Sequence, residues 1–323
     1  MLVKLYRKYI SKEVRDKIYK AFLGQVLSFL RSLDGNIKSK SIYLFQKILP
    51  DTEENRLYAF MGKYGLNALP YPFIFEYKKA LVDCLFDEQF NMHCIVHSGK
   101  KLYFPEFYEK EQVIENYRSL LSEQDAHSPH RYVKDITRLE GKVLLDIGAA
   151  EAIFTLDCIE IIKHAYIFEC DENWIEALNV TFSPWKEKVT IVRKYVSNTN
   201  DDNNITIDSF LKGKEKNNLF LKMDIEGYEQ AALRGASNTL SESKDIDFSI
   251  CTYHKKEDAV EIAKMLRSYG FECEQTDGYL YYENSLRKAI IRKLPTCIPA
   301  STVGVMNETD NRIHTCIHPS KQE

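Results

Sequence analysis

The sequence predicts an α/β protein: a doubly wound, mostly parallel sheet preceded by a mainly helical N-terminal extension. Two observations carry this. From about residue 140, short apolar runs alternate with helical segments, the rhythm of βαβ units. One run, Leu219-Phe220-Leu221, leads into Lys222-Met223-Asp224-Ile225-Glu226-Gly227-Tyr228-Glu229 and then the helical pattern Gln230-Ala231-Ala232-Leu233-Arg234. A strand ending in a carboxylate, then a glycine, then a helix puts charge at the carboxyl edge of a sheet, where open α/β sheets bind ligands.

In chain order, Ile10–Leu33 places Val14, Ile18, Phe22, Val26 and Leu30 on one helical face. Docking on the main domain accounts for that face. Lys4, Arg7, Lys8, Lys12, Arg15, Lys17 and Lys20 leave open a peripheral membrane contact. Residues 70–110 read as short strands and turns, broken by Pro70, Pro72 and Pro105, with Cys94-Ile95-Val96 and Lys101–Phe104 strand-like. Lys142–Asp146 is the first strand of the sheet, followed by a helix to about Lys163. Ala165–Glu169 is the second, after which Asp171 caps a helix to about Phe182. Val189–Val192, Asn218–Asp224 and Asp247–Tyr253 are the third, fourth and fifth, and the helix Asp258–Tyr269 ends at Gly270. Phe271–Gln275 and Tyr279–Tyr282 read as a terminal antiparallel pair, with Lys288–Arg292 as one more strand. The division is a helical or mixed substrate or lid region (1–135), the sheet domain (136–294) and a flexible tail (295–323).

The chain of 323 residues is 44% hydrophobic and 28% charged, an ordinary globular composition, and its net charge of -3 gives no global pull toward nucleic acid. No apolar run reaches the roughly 18–20 residues of a membrane helix. Met1–Lys8 is basic but interrupted, unlike a secretory signal. Eight cysteines without a CxxC pair read as reduced thiols, which suits the cytoplasm.

The first strand ends in Asp146-Ile147-Gly148-Ala149-Ala150-Glu151-Ala152. Small residues at Gly148, Ala149 and Ala150 let a ligand approach the backbone. Glu169, at the tip of the second strand, follows Asp146 by roughly the 20 residues at which an acid in such folds binds ribose hydroxyls. G-x-G-x-x-G is absent, and an acid at the first strand's tip repels a pyrophosphate. It suits a cationic or amino-bearing ligand such as S-adenosyl-L-methionine. Asp146, Gly148, Ala149, Ala150, Glu151, Glu169 and Asp224 are therefore the candidate cofactor residues.

Asp146-Ile147-Gly148-Ala149, Phe168-Glu169, Ile205–Asp208, Leu221–Glu229, Leu233-Arg234-Gly235-Ala236 and Thr252-Tyr253-His254 stand in an order and spacing that resembles the FkbM-type methyltransferases. The resemblance spans roughly residues 140–292. It implies a class I methyltransferase (Rossmann-like) fold, bound S-adenosylmethionine and O-methylation of a sugar or natural-product hydroxyl. Three positions depart from the family's usual residues: Ala152 replaces glycine, Ala150 asparagine and Cys170 proline. At a positive φ, alanine at 152 costs about 1 kcal/mol; in a first helical turn it costs almost nothing.

Methyl transfer to a hydroxyl needs a positioned oxygen and a destination for its proton. Asp224 or Glu226 is the candidate base or hydroxyl anchor, and His254, after the fifth strand, a further proton acceptor. Lys222 shares a strand face with Asp224, either near the substrate or as its ion-pair partner. Glu229 reads as a first-turn glutamate favoured by the helix dipole, and Asp208 as a brace of the sheet edge. His127, His130, Arg131 and Tyr132 lie in a proline-bearing loop that either folds over the cleft or is a polar linker. Asp224, Glu226 and His254 also suit a hard divalent cation, a reading not favoured over metal-free transfer. The expected activity is an S-adenosylmethionine-dependent O-methyltransferase acting on a sugar, glycan or related small molecule. Two alternatives fit the same residues: a non-catalytic binding protein of this fold in glycan assembly, and a sugar-nucleotide enzyme.

Overall fold

The computed structural model describes residues 34–294 apart from Lys244. The basic pattern of Ile10–Leu33 and the tail after Leu294 lie outside them. The described residues up to Lys293 form one compact unit.

Helix α1 (Gly35–Phe45) is capped by Asp34, and α2 (Glu53–Tyr64) by Thr52, with Glu53 and Glu54 in its first turn. After α3 (Ile74–Lys79), the strands β1 (Cys84–Asp87), β2 (Met92–His97) and β3 (Lys100–Tyr103) make a small antiparallel sheet, followed by α4 (Lys110–Glu123). Next come β4 (Val143–Ile147), α5 (Ile153–Cys158), β5 (His164–Phe168), α6 (Glu172–Thr181) and β6 (Val189–Val192). The two-residue strands β7 (Tyr195–Val196) and β8 (Asn204–Ile205) precede α7 (Ile207–Phe210), β9 (Leu219–Met223), α8 (Glu229–Arg234) and α9 (Ser237–Glu242). The chain continues through β10 (Ile246–Cys251), α10 (Asp258–Ser268), β11 (Cys273–Gln275), β12 (Leu280–Tyr282), β13 (Ser285–Arg287) and β14 (Ile290–Lys293).

Seven strands form the main sheet in the order β11-β14-β10-β9-β4-β5-β6. Within it β14 alone runs antiparallel. The expected pairing of Phe271–Gln275 with Tyr279–Tyr282 does not form. Cys273–Gln275 pairs with β14, and β12 pairs with β13 instead. The cause is local: Glu283 and Asn284 both adopt positive φ and close a tight hairpin.

The sheet is buried on both faces, so its strands are continuous apolar runs. Leu144, Ile167 and Phe220 face a core shared with Leu102, Phe104 and Val113 of the N-terminal layer and with Ile153 and Phe154 of α5. Leu145, Ile147, Leu221, Met223 and Ile250 face the opposite core, with Leu233, Leu240 and Leu266. Asp146 and Lys222 share the parity of Leu144 and Phe220, and the β4–β9 register pairs them directly. Asp208 caps α9, accepting from the backbone N–H groups of Asn238 and Thr239. Among the described residues, no helix is long and apolar enough to cross a membrane.

Candidate active site

The carboxyl ends of β4, β5 and β9 border a cavity of about 650 Å³. Its wall includes Gly148 and Ala150 from the turn after β4, Glu169 and Trp174 beyond β5, and Asp224 and Glu226 beyond β9. The turn brings backbone to the cavity because Gly148 (φ 75°) and Ala150 (φ 46°) are left-handed. Gly148 is also required by space: a Cβ there would lie 2.0 Å from the carbonyl oxygen of Asp224.

The Glu169 carboxylate is held at both oxygens. Oε2 accepts from the N–H of Ala150 (2.9 Å), and Oε1 from the N–H groups of Cys170 (2.7 Å) and Asp171 (2.9 Å). A carboxylate has about four acceptor sites, so capacity remains on the cavity side. An apolar slot with a fixed carboxylate fits a nucleoside-bearing ligand: Ile147, Phe168, Val196 and Ile225 supply apolar surface, and the volume is that of a small-molecule site.

Behind the turn lies a buried pair. Lys222 Nζ stands 3.0 Å from Asp146 Oδ1 and donates to the carbonyl oxygen of Gly148 at 2.6 Å. The hydroxyl of Thr155 donates to Asp146 Oδ2 at 2.7 Å. Burial disfavours the ammonium, but Asp146 and Asp224 more than offset this and hold the Lys222 pKa above its ordinary value. Asp146, Ala149, Glu151 and Lys222 are buried and absent from the cavity wall, so they act on it through the turn they support.

Asp224 joins the cavity to a second cluster. Its Oδ2 accepts from the Tyr132 hydroxyl (2.9 Å) and its Oδ1 from the Tyr253 hydroxyl (3.2 Å). Two imidazoles flank it: His130 Nε2 is 3.6 Å from Oδ2, and His254 Nε2 is 3.4 Å from Oδ1. Burial alone would raise the Asp224 pKa. The contact with His130 and the charges of His130, Lys222 and His254 win, and the carboxyl lies far below the usual range. It is therefore a strong anchor and a weak base. Burial pushes both phenols up, so they remain protonated donors.

The cluster continues outward on both sides. His254 Nδ1 lies 2.8 Å from Glu229 Oε1, and His130 Nδ1 lies 3.8 Å from Glu123 Oε2. For each histidine, burial opposes the charged form, but the facing carboxylates outweigh it and raise its pKa. The ring of Tyr253 stands between the two imidazoles, with centroids 5.4 Å from His130 and 4.1 Å from His254. Arg287 donates to the carbonyl oxygens of Tyr253 and His254, both at 2.7 Å, and so fixes this loop.

Of the candidate residues, Asp224, His254, His130, Tyr132 and Lys222 are thus gathered around one carboxylate. Glu226 stands at the rim, its side chain 78% exposed and 3.6 Å from His254 Nε2. His127 points to solvent at 83% exposure, where it contacts Asp125. The Arg131 carbonyl accepts from Arg292, which ties the loop to the sheet. Atoms of Asp224, Glu229 and His254 lie within 4.8 Å of one another. Glu229 Oε1 and His254 Nδ1 face each other, while Glu229 Oε2 and His254 Nε2 are buried with no hydrogen-bond partner among the described residues. Sequence reasoning gave no role to Tyr253, or to Trp174, Lys194 and Asn204, which line the cavity. Only Tyr253 carried a signal, its place beside His254 at a strand end.

Residues 172–273 match the family described as "Methyltransferase FkbM domain". Among solved structures, the chain is similar to methyltransferase FkbM from Methylobacillus flagellatus at 14% identity and a TM-score of 0.40, covering 80% of this chain and 71% of that one. It is similar also to a putative methyltransferase from Streptococcus mutans in complex with SAH, at 11% identity and a TM-score of 0.36, covering 49% and 93%. No curated protein matches.

Proposed function

We propose that the chain is an S-adenosylmethionine-dependent methyltransferase of the FkbM type with a class I fold, and that it methylates a hydroxyl of a sugar, glycan or related small molecule. The observation that carries this is the position of Asp224. It lines the cavity and also accepts hydrogen bonds from two tyrosine hydroxyls. An acceptor hydroxyl entering at Glu226 meets the same carboxylate, which fixes its oxygen at the cavity's edge. The bound donor supplies an electrophilic methyl group on a sulfonium. Glu169 binds the donor's ribose, and the backbone of Gly148 and Ala150 packs against it. Asp146 and Lys222 hold that backbone in place. The N-terminal region supplies the acceptor side through His130 and Tyr132.

Calorimetry tests the donor half, and methyl transfer to a panel of hydroxyl acceptors, with amines and thiols as controls, tests the acceptor half. Micromolar donor binding with methylation of a hydroxyl is expected, and Asp224→Asn should lower turnover at least about 100-fold. Donor binding with methylation of amines or thiols alone would overturn the acceptor class. An intact fold that does not bind the donor would favour a binding protein.

A further inference from the structure

We infer that Glu229 and His254 form the base dyad of this site: Glu229 positions the imidazole, and His254 Nε2 receives the acceptor's proton. This rests on the hydroxyl-transfer reading above. Glu229 is the fourth residue after Ile225, and its side chain is 0% exposed. It does not serve merely as a helix-dipole residue on a solvated first turn. Its Oε1 turns back to accept from the backbone N–H of Ile225 (3.0 Å) and faces His254 Nδ1 at 2.8 Å. A proton on Nδ1 is thereby held by a carboxylate, and the neutral ring keeps its lone pair on Nε2. That nitrogen is buried and has no hydrogen-bond partner among the described residues. It lies 3.4 Å from Asp224 Oδ1 and 3.6 Å from Glu226 Oε2, beside the cavity that these two carboxylates line. A hydroxyl held by Asp224 Oδ1 has one proton, and as its oxygen takes up the methyl group that proton passes from the carboxylate contact to Nε2.

The step balances. The acceptor oxygen forms a bond to the methyl carbon, and the carbon–sulfur bond breaks with its electron pair left on sulfur. The hydroxyl proton goes to Nε2, giving an imidazolium whose Nδ1–H is held by Glu229. The other groups around the ring are accounted for. Tyr253 and Tyr282 pack against it, and Arg287 binds its carbonyl. Lys255 donates to the Gly227 carbonyl, and His130 lies on the far side of Asp224. Burial and the opposing carboxylates of Glu229, Asp224 and Glu226 therefore set the ring's proton affinity, and among the described residues Glu229 is the hydrogen-bond partner of Nδ1.

The test is Glu229→Gln in the full chain, with two readouts. Nitrogen NMR of the imidazole in the cofactor-free protein should show the Nδ1–H tautomer in the wild type. In E229Q the titration should move down by about 1 unit or more. The acid limb of kcat/KM against pH should move down with it, with a plateau at least about 10-fold lower, while the donor's Kd changes less than about 2-fold. A lower plateau with an unmoved limb would reduce Glu229 to a structural brace and overturn the dyad. Should E229Q fail to fold, the wild-type spectrum still decides, because an Nε2–H tautomer in the neutral ring overturns the inference. If the wild type transfers nothing to hydroxyls, the reading above fails, and the tautomer and titration still judge the dyad.

Discussion

Replacing Lys222 with methionine strands the Asp146 carboxylate in the core. The lysine and aspartate side chains are 5% and 1% exposed, and their charged atoms are 3.0 Å apart. Methionine keeps most of the apolar stem, so the loss is almost purely that of the charge and of the hydrogen bond to Gly148. Removing one member of a buried pair costs about 3–5 kcal/mol. At about 2–4 °C per kcal/mol for a domain of this class, Tm should fall by roughly 6–20 °C. Urea unfolding followed by two probes gives the free energy and checks two-state behaviour. The double variant Asp146→Asn/Lys222→Met removes the stranded charge and leaves an oxygen for the Thr155 hydroxyl. It should be more stable than Lys222→Met alone. A loss below about 1 kcal/mol, the range of exposed pairs, would refute the assignment. So would a double variant that loses the sum of the two single losses.

Two further outcomes follow from the same geometry. Glu169→Gln keeps the shape of the strand tip and removes its charge; charge-assisted bonds of about 1.5–3 kcal/mol then predict a donor Kd roughly 10- to 150-fold higher by calorimetry, and an unchanged Kd would sink the ribose role. Burial pushes the Glu151 carboxyl from 4.5 to about 8. Its stabilising effect is complete below pH 4.5 and is lost as pH rises through 8. Glu151→Gln should therefore gain on the wild type by about 1.4 kcal/mol per pH unit across that window and then level off; a gap that does not vary with pH would exclude a buried neutral carboxyl.

The strands that build the site were legible because burial on both faces writes them as apolar runs. Leu219–Met223 and Val143–Ile147 were visible for that reason, and the carboxylates that end them came with them. Partners were harder to read. The contact of Lys222 with Asp146 depends on the parallel register of β4 and β9, which joins residues far apart in sequence. Lys222 was equally well placed for Asp224 by strand parity alone. His130 and Tyr132 sit in a polar loop whose composition is that of a linker, and only tertiary packing turns them toward Asp224. Glu229 stands in the first turn of α8 as expected, and only its burial against His254 was not legible, because that depends on how β10 ends.

The alanine at 152 is where sequence and structure meet most directly. Its φ of 55° and ψ of 38° place it in the left-handed region at the N-cap of α5, so the first of the two expectations for this residue holds and the backbone carries strain. Ala150, at φ 46°, carries the same strain. Strain of this size persists where the surroundings over-determine the backbone, and here they do. The N–H groups of Gly148 and Ala149 are bound by the Phe168 carbonyl, that of Ala150 by Glu169, and that of Ala152 by the Ala149 carbonyl at 2.7 Å. Lys222 ties the Gly148 carbonyl from behind. Ala152 is also buried away from the cavity wall, whereas Ala150 lines it. The departure at 152 therefore draws on fold stability and leaves the shape of the cavity to Gly148, Ala150 and Glu169. That is why the Lys222–Asp146 pair matters to a site it does not touch: it fixes the turn in which two alanines hold a glycine's conformation.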